Sequence, residues 1–132
     1  MPDKNSIAII GYSGHSFVVL DAAKQMGLEV KYYCERNQVS FNPFEISYIG
    51  DEGYAFFDWN EADEFILGIG DNKIRQKVAN LILSKKKTIL NVIHPSSVIS
   101  NYATVGIGNF IAANVTVNAL ASIGDHCILN TG

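Results

Sequence analysis

The chain has 132 residues, 48% hydrophobic and 17% charged, which is typical of a globular protein with one ordinary domain or a small domain plus a partial repeat. Its net charge of −3, without a basic stripe, argues against nucleic acid as a partner. No apolar run approaches the ~18–20 residues that span a bilayer, the polar N-terminus lacks a signal-peptide core, and Cys34 and Cys127 have no metal-ligand spacing. We therefore expect a cytoplasmic protein with reduced thiols, no membrane span and no metal site.

The first third of the chain predicts a strand, a glycine turn, a helix and a second strand. Residues 6–10 are apolar and end at a glycine, which indicates a buried parallel strand. The turn at 11–15 (Gly-Tyr-Ser-Gly-His) leads into a predicted helix. The expected apolar face of this helix consists of Val18, Val19, Ala22 and Met26. Residues 29–33 predict the second strand, so the order is that of a nucleotide-binding α/β domain.

The middle of the chain continues this alternation of strands and helices. Residues 46–49, 64–69 and 88–93 predict three further strands. A helix capped by Asp71 or Asn72 follows the second of these, and its expected apolar stripe consists of Ile74, Val78, Leu81 and Ile82. The aromatic segment 51–60 predicts a packed cluster of Tyr54, Phe56, Phe57 and Trp59. Because Pro95 cannot continue a central ladder, we expect the domain boundary there.

The C-terminal part of the chain carries a six-residue repeat. Branched aliphatic side chains recur at every sixth position: Ile99, Val105, Ile111, Val117, Ile123 and Leu129. Most residues one position and four positions after each of these aliphatics are small or short and polar, so three positions of the repeat match. The run therefore predicts a parallel β-helix in which coils stack to bury the aliphatic face. Period-two strand alternation could produce part of this pattern, but not three matched columns over five repeats. The sequence shows no cap after the last hexad, and we expect a fragment of a longer protein.

Two glycine loops are candidate ligand sites. In residues 11–15, Gly11 and Gly14 would let a ligand approach the backbone at a helix N-terminus, which suits phosphate. The alternative is a tight turn without a ligand. Residues 68–72 (Gly-Ile-Gly-Asp-Asn) form the second loop, for which an ordinary βα turn is equally open. Glu35 is placed to contact a ribose hydroxyl, or else forms a solvated pair with Arg36. His15 is a secondary catalytic candidate, although a lone histidine there is more often a surface or packing residue.

Three motifs in a fixed order carry a family resemblance. They are residues 8–15 (Ala-Ile-Ile-Gly-Tyr-Ser-Gly-His), 67–75 (Leu-Gly-Ile-Gly-Asp-Asn-Lys-Ile-Arg) and 93–100 (Ile-His-Pro-Ser-Ser-Val-Ile-Ser), followed by the hexads. Together they resemble the bacterial nucleotide-sugar acetyltransferases of the left-handed β-helix class. That class includes bacillosamine and perosamine N-acetyltransferases and sialic acid O-acetyltransferase-like proteins. The resemblance covers essentially the whole chain.

The resemblance implies a fold, a reaction and an assembly. The fold is α/β: a Rossmann-like parallel sheet domain over 1–95 that binds the nucleotide sugar, followed over 96–132 by a truncated left-handed parallel β-helix with three hexads per coil. The reaction is acetyl transfer from acetyl-CoA, the co-substrate, to an amino or hydroxyl group of a UDP-linked amino sugar. The family works as a homotrimer whose active site lies between one subunit's sugar domain and its neighbour's β-helix.

The resemblance also assigns residues. The substrate-binding candidates are Gly11, Ser13, Gly14, His15, Glu35, Gly68, Gly70 and Asn72, with Arg36 replacing the second acid of the family's acidic pair. The catalytic candidates are Asn130 and His15. The family's histidine base follows an Asn-Thr pair by about seven residues, which places it beyond Gly132 here and leaves this chain weak or inactive. His126 is out of register and is expected to face outward.

Two other functions remain as alternatives. The chain could be a non-catalytic module that binds a nucleotide sugar or trimerises through its hexads. It could also be a nicotinamide-dependent oxidoreductase domain, although the hexads and the incomplete three-glycine fingerprint argue against this.

Overall fold

The computed structural model describes residues 5–130 and shows an α/β domain joined to a parallel β-helix. The five strands of the α/β sheet are all parallel, in the order β3-β2-β1-β4-β5. They are β1 (Ile7–Ile10), β2 (Val30–Cys34), β3 (Ser47–Tyr48), β4 (Glu64–Leu67) and β5 (Thr88–Ile89). The helices are α1 (Gly14–Gln25) and α2 (Asn72–Ser84), and a short 3-10 turn spans Trp59–Glu61. The predicted Rossmann-like class is confirmed.

The two helices cover opposite faces of the sheet. Ile7 and Ile9 of β1 share a buried cluster with Val19 and Leu20 of α1. The alternate β1 residues Ala8 and Ile10 share a second cluster with Val78 and Ile82 of α2. Because successive side chains of a strand point to opposite faces, this arrangement explains why the central strand is apolar throughout.

The predicted apolar faces of both helices were partly wrong. Val18 is 56% exposed and Met26 is exposed, whereas the buried face of α1 consists of Ser16, Val19, Leu20, Ala22 and Ala23. Ile74 of α2 is 53% exposed, while the next residue, Arg75, is buried. In both helices a polar side chain occupies the buried face because it finds hydrogen-bond partners there, which a hydropathy pattern cannot show.

The aromatic segment forms only part of the predicted cluster. Phe57 is buried and its ring packs edge-on against Trp59, with 4.9 Å between centroids. Tyr54 and Phe56 are 61% and 83% exposed, so their predicted burial is wrong. Both lie in the irregular stretch before the 3-10 turn, where no strand or helix turns their side chains toward the core.

The hexads form a parallel β-helix with three faces. Its strands are β6 (Val92–Ile93), β7 (Val98–Ile99), β8 (Thr104–Val105), β9 (Phe110–Ile111), β10 (Thr116–Val117), β11 (Ser122–Ile123) and β12 (Ile128–Leu129). The faces are β6-β9-β12, β7-β10 and β8-β11, and equivalent residues of adjacent coils, such as Thr104 and Ser122, lie 18 positions apart. Three hexads therefore make one coil, as the resemblance implied.

The strand predicted over 88–93 is in fact two strands in different sheets. Thr88–Ile89 pairs with β4 in the α/β sheet, whereas Val92–Ile93 pairs with β9 in the β-helix. The first coil thus begins before Pro95. The two parts also share a core, since Phe110 and Val92 belong to the same buried cluster as α1.

Two glycines at equivalent corners offer a matched test of coil stacking. A Cβ on Gly106 would meet the Asp125 carboxylate and would lie 2.6 Å from the backbone oxygen of Gly124, whereas a Cβ on Gly124 would meet no atom within 4 Å. We expect Gly106→Ala to lower the free energy of unfolding of this chain by about 1–3 kcal/mol because it forces adjacent coils apart. Gly124→Ala should stay within about 0.5 kcal/mol of wild type. Urea unfolding of both variants checks this, and equal losses would contradict it.

Candidate functional site

An open groove of about 1340 Å³ lies at the carboxyl ends of β1, β2 and β4. Parallel α/β sheets bind ligands at this edge. The groove is lined by six of the eight predicted substrate-binding residues: Gly11, Ser13, His15, Glu35, Gly68 and Gly70. Gly14 and Asn72 begin α1 and α2 and do not line it. The structure therefore brings the two glycine loops together.

The first loop is shaped by Gly11. Its φ of +92° is unfavourable for other residues, and its N–H donates to the Cys34 carbonyl at 2.9 Å. A Cβ on Gly11 would lie 3.4 Å from both the Gly68 oxygen and Ser16 Oγ. The loop thus packs closely against Gly68 and Ser16, and the chain then enters the exposed start of α1.

Ser16 joins the two loops, and sequence reasoning missed it. Its buried Oγ accepts a hydrogen bond from the Ser13 N–H at 3.1 Å and donates to the Gly68 carbonyl at 2.9 Å. Ser16 lies three residues after Ser13, the N-cap of α1, and this spacing is a sequence signal for its first bond. The second bond depends on the position of β4 and has no sequence signal.

The second loop starts where β4 ends. The Gly68 N–H donates to the Ile10 carbonyl at 2.9 Å, which extends the β1–β4 ladder by one bond. Asp71 Oδ1 accepts from the Ile74 N–H at 2.9 Å, so Asp71 is the helix cap and Asn72 is the first helical residue. The starts of both helices therefore border the groove, since Ser13 and His15 of the first and Asp71 and Ile74 of the second line it. The N–H groups that remain free in these first turns, and the partial positive charge there, favour an anion.

Glu35 holds the first loop in place. Its Oε2 accepts from the Tyr12 N–H at 2.6 Å, so one carboxylate oxygen is already used by the protein. Arg36, exposed beside it, also lines the groove. The predicted ribose contact of Glu35 stays a prediction, and the carboxylate keeps acceptor sites beyond the one that the Tyr12 N–H uses.

Two acids form a further wall of the groove. Asp51 and Glu52 follow β3 and Gly50, and both line the groove. Burial raises the pKa of the Glu52 carboxyl, and the nearby Asp51 and Glu35 carboxylates raise it further. Sequence reasoning missed both residues, although acids just after the third strand fall under the same sheet-edge rule as Glu35.

His15 lies between the groove and the β-helix. Its ring packs edge-on against Phe110 of β9, with 5.5 Å between centroids. Within residues 5–130, its buried Nε2 has no hydrogen-bond partner. Burial lowers the pKa of His15, and the nearby Arg75 charge lowers it further, so the imidazole is neutral at pH 7.

The prediction that His126 faces outward is wrong. His126 has a φ of +58° at a coil corner and is partly buried, because its ring turns back over the equivalent corner at Gly108. Its Nδ1 is buried and, in the described part of the chain, unpaired. Asn130, by contrast, is exposed just after β12, and Thr131, which completes the Asn-Thr dipeptide matched to the family, lies outside the described residues.

The lowered pKa values of two histidines predict that the folded state loses stability in acid. Burial lowers the pKa of both His15 and His126 from the ordinary 6.5; Arg75 acts in the same direction, and Asp125 partly opposes it at His126. The native state then binds fewer protons than the unfolded state, so stability is full above the ordinary pKa and falls as pH drops through the lowered values. We expect the Tm to be flat from pH 8 to 7 and to decline toward pH 5.5, with a shallower decline in His15→Gln and His126→Gln. Parallel curves for all three proteins would contradict this.

The described residues provide neither a metal cluster nor a transmembrane helix. No group of three or more His, Cys, Asp or Glu side chains within 5–130 is arranged to hold a metal ion. Across the same span, no helix combines the length and the apolar character needed to cross a bilayer.

Solved structures similar to this chain include acetyltransferases. PerB from Caulobacter crescentus, solved with CoA and GDP-perosamine, is 29% identical with a TM-score of 0.84; the match covers 96% of this chain and 60% of PerB. The acetyltransferase domain of PglB from Neisseria gonorrhoeae is 25% identical with a TM-score of 0.81; the match covers 96% of this chain and 62% of that domain. The chain thus spans about 60% of the length of these relatives.

The match at the level of sequence families covers the α/β domain. Residues 6–82, more than half of the chain, match the PglD N-terminal domain. This span contains both glycine loops and Glu35, and the family resemblance drawn from the motifs is thereby confirmed. The chain belongs to the PglD N-terminal domain family.

Proposed function

We propose that this chain binds a nucleotide-linked amino sugar and belongs to an enzyme that transfers an acetyl group to it from acetyl-CoA. The observation that carries the proposal is the groove at the sheet edge, onto which two helix N-termini converge. Free N–H groups and helix dipoles there stabilise a pyrophosphate without requiring a metal ion. The similarity to PerB and to the PglB domain supports the acetyl acceptor and donor classes.

The shape of the groove orients the ligand. The pyrophosphate would lie at the loops that carry Gly11 and Gly68. The nucleoside would extend toward Glu35, Asp51 and Glu52, whose carboxylates can accept hydrogen bonds from ribose hydroxyls and base N–H groups. The sugar would extend the other way, toward His15 and the β-helix face that carries Phe110.

The reaction we propose is direct acetyl transfer. The sugar amine attacks the thioester carbonyl while a histidine base removes its proton; the new C–N bond forms, the C–S bond breaks, and the CoA thiolate leaves and is protonated. Backbone donors, with Asn130 beside them, would stabilise the oxyanion. We place the base about seven residues after Asn130, beyond the last residue of this chain, on the β-helix of a neighbouring subunit in a cytoplasmic homotrimer.

The identity of the nucleotide divides the proposal into two cases. The motifs resemble enzymes that act on UDP-linked sugars, whereas the relative PerB was solved with a GDP-linked one. Guanine presents two adjacent N–H donors that a single carboxylate can accept together, whereas uracil presents one. Because Asp51 or Glu52 could accept both guanine donors, the affinities of a UDP-linked and a GDP-linked amino sugar should be compared.

Thermal-shift measurement on this chain tests the proposal. A UDP-linked 4-amino sugar, GDP-perosamine, acetyl-CoA and NADH are compared, each at ~100 times its dissociation constant where it binds, which should stabilise the fold by ~2.7 kcal/mol. We expect one of the two nucleotide sugars to raise the Tm and NADH to leave it unchanged. A shift with NADH alone would overturn the proposal in favour of a dinucleotide site.

A further inference from the structure

Arg75 is a buried cation whose partners are all backbone carbonyls. It is 1% exposed, and its four hydrogen bonds in the described part of the chain go to oxygens of the main chain. Burial lowers its pKa to about 10, so the guanidinium remains charged at neutral pH. A buried charge is costly unless its donors are satisfied. Here four backbone carbonyls, rather than a carboxylate, accept the hydrogen bonds of the guanidinium and stabilise its charge.

The four carbonyls come from both parts of the molecule. Nη1 donates to Leu67 O at 3.2 Å and to Ile69 O at 3.0 Å, at the end of β4 and in the second glycine loop. Nη2 donates to Gly108 O at 2.7 Å, and Nε donates to His126 O at 3.0 Å. One side chain therefore joins the groove to the β-helix.

The two β-helix partners are equivalent corners of successive coils. Gly108 and His126 each precede a strand of the same face, β9 and β12, whose residues pair at a spacing of 18. β9 carries Phe110, against which His15 packs, and β12 ends just before Asn130. Fixing these corners therefore fixes β9, which carries Phe110 beside the proposed sugar site, and β12, which ends just before Asn130.

We propose that Arg75 is a positioning residue that sets the second glycine loop against the β-helix of its own subunit, and thereby sets a nucleotide sugar held by the loop against the neighbouring β-helix that carries the base in the proposed homotrimer. The inference rests on the proposed function. The planar guanidinium presents its donors in fixed directions, which a lysine ammonium cannot reproduce. Misplacing a bound acceptor by an ångström costs rate rather than affinity, since the groove itself still binds the nucleotide.

The test compares Arg75→Lys and Arg75→Met with wild type in the full-length protein. The matched control is Lys85→Met, an exposed cation at the C-terminal end of the same helix and outside the groove lining. We expect the Kd for the nucleotide sugar, from calorimetry, to stay within about threefold of wild type in all three variants. We expect kcat for acetyl transfer to fall at least tenfold in Arg75→Met and Arg75→Lys, with KM little changed, and to be unchanged in Lys85→Met.

Several results would overturn the inference. Wild-type kcat in Arg75→Met would show that the four bonds do not matter for the reaction, and full activity in Arg75→Lys would show that only the charge matters. A parallel loss of affinity and kcat in Arg75→Lys would indicate a merely structural role; this variant decides the question if Arg75→Met fails to fold. Wild-type protein that binds the nucleotide sugar but transfers no acetyl group would instead overturn the proposed function, and the inference with it.

Discussion

Replacing Asn109 by alanine should lower the free energy of unfolding by about 2–4 kcal/mol, because it removes a buried side chain that makes two hydrogen bonds to the main chain. The side chain is buried and binds the next coil twice. Its Nδ2 donates to the Gly124 carbonyl at 2.8 Å, and its Oδ1 accepts from the Cys127 N–H at 2.6 Å. Alanine would leave both backbone groups without their partner in a partly buried corner.

The same arrangement occurs one coil earlier, which explains the size of the effect. Asn91 Oδ1 accepts from the Asn109 N–H at 2.8 Å, and Asn91 Nδ2 donates to the Gly106 carbonyl at 2.8 Å. The two asparagines thus form a ladder at the coil spacing of 18 residues. In such a ladder each member satisfies main-chain groups that strand pairing leaves free at the corners.

Controls separate this ladder from general sensitivity of the β-helix. Asn101→Ala removes an exposed asparagine from another corner and should change the free energy of unfolding by no more than about 0.5 kcal/mol. Asn109→Asp replaces the Nδ2 donor with a carboxylate oxygen that faces the Gly124 carbonyl and buries a charge, so at neutral pH it should destabilise the chain at least as much as Asn109→Ala. Urea unfolding gives all three values. If Asn109→Ala unfolds like Asn101→Ala, the two bonds contribute nothing to stability.

The sequence predicted the fold through its periodic features. Branched residues every sixth position fixed the β-helix, and apolar runs ending in glycine fixed the strands that border the groove. Asn109 itself was visible only as one compact residue in a hexad column. Its role requires knowing that three hexads close a coil, because only then does Asn91 lie above it.

Buried polar residues were the main features that sequence reasoning could not locate. The residues on either side of Arg75, Ile74 and Gln76, give no sign that Arg75 is buried. Its partners Gly108 and His126 are more than thirty residues away along the chain. Ser16 is similar, since its second partner lies 52 residues away. Burial of a polar group is decided by distant backbone atoms that satisfy it, and local hydropathy carries no information about them.

Replacing Gly68 by alanine should both destabilise the fold, by about 1–3 kcal/mol, and weaken nucleotide-sugar binding at least tenfold. A Cβ there would lie 2.8 Å from Ile9 Cδ1 and 2.9 Å from the backbone oxygen of Ile10. Neither contact is easily relieved, because Ile9 is fully buried and the Ile10 carbonyl accepts the Gly68 N–H at 2.9 Å. The loop must therefore move away from β1 and take the Gly68 carbonyl, the partner of Ser16, with it.

Two other glycines distinguish this effect from a general response to alanine. A Cβ on Gly70 would lie 3.6 Å from His15 Cβ, an ordinary contact, so Gly70→Ala should retain the stability of wild type. Gly124→Ala, outside the groove lining, should retain both stability and affinity. Affinity is measured by calorimetry at a temperature where every variant is fully folded, so that a higher Kd cannot be confused with unfolding. Wild-type stability of Gly68→Ala would show that β1 and β4 separate at little cost, and unchanged affinity would show that the second loop does not bind the ligand.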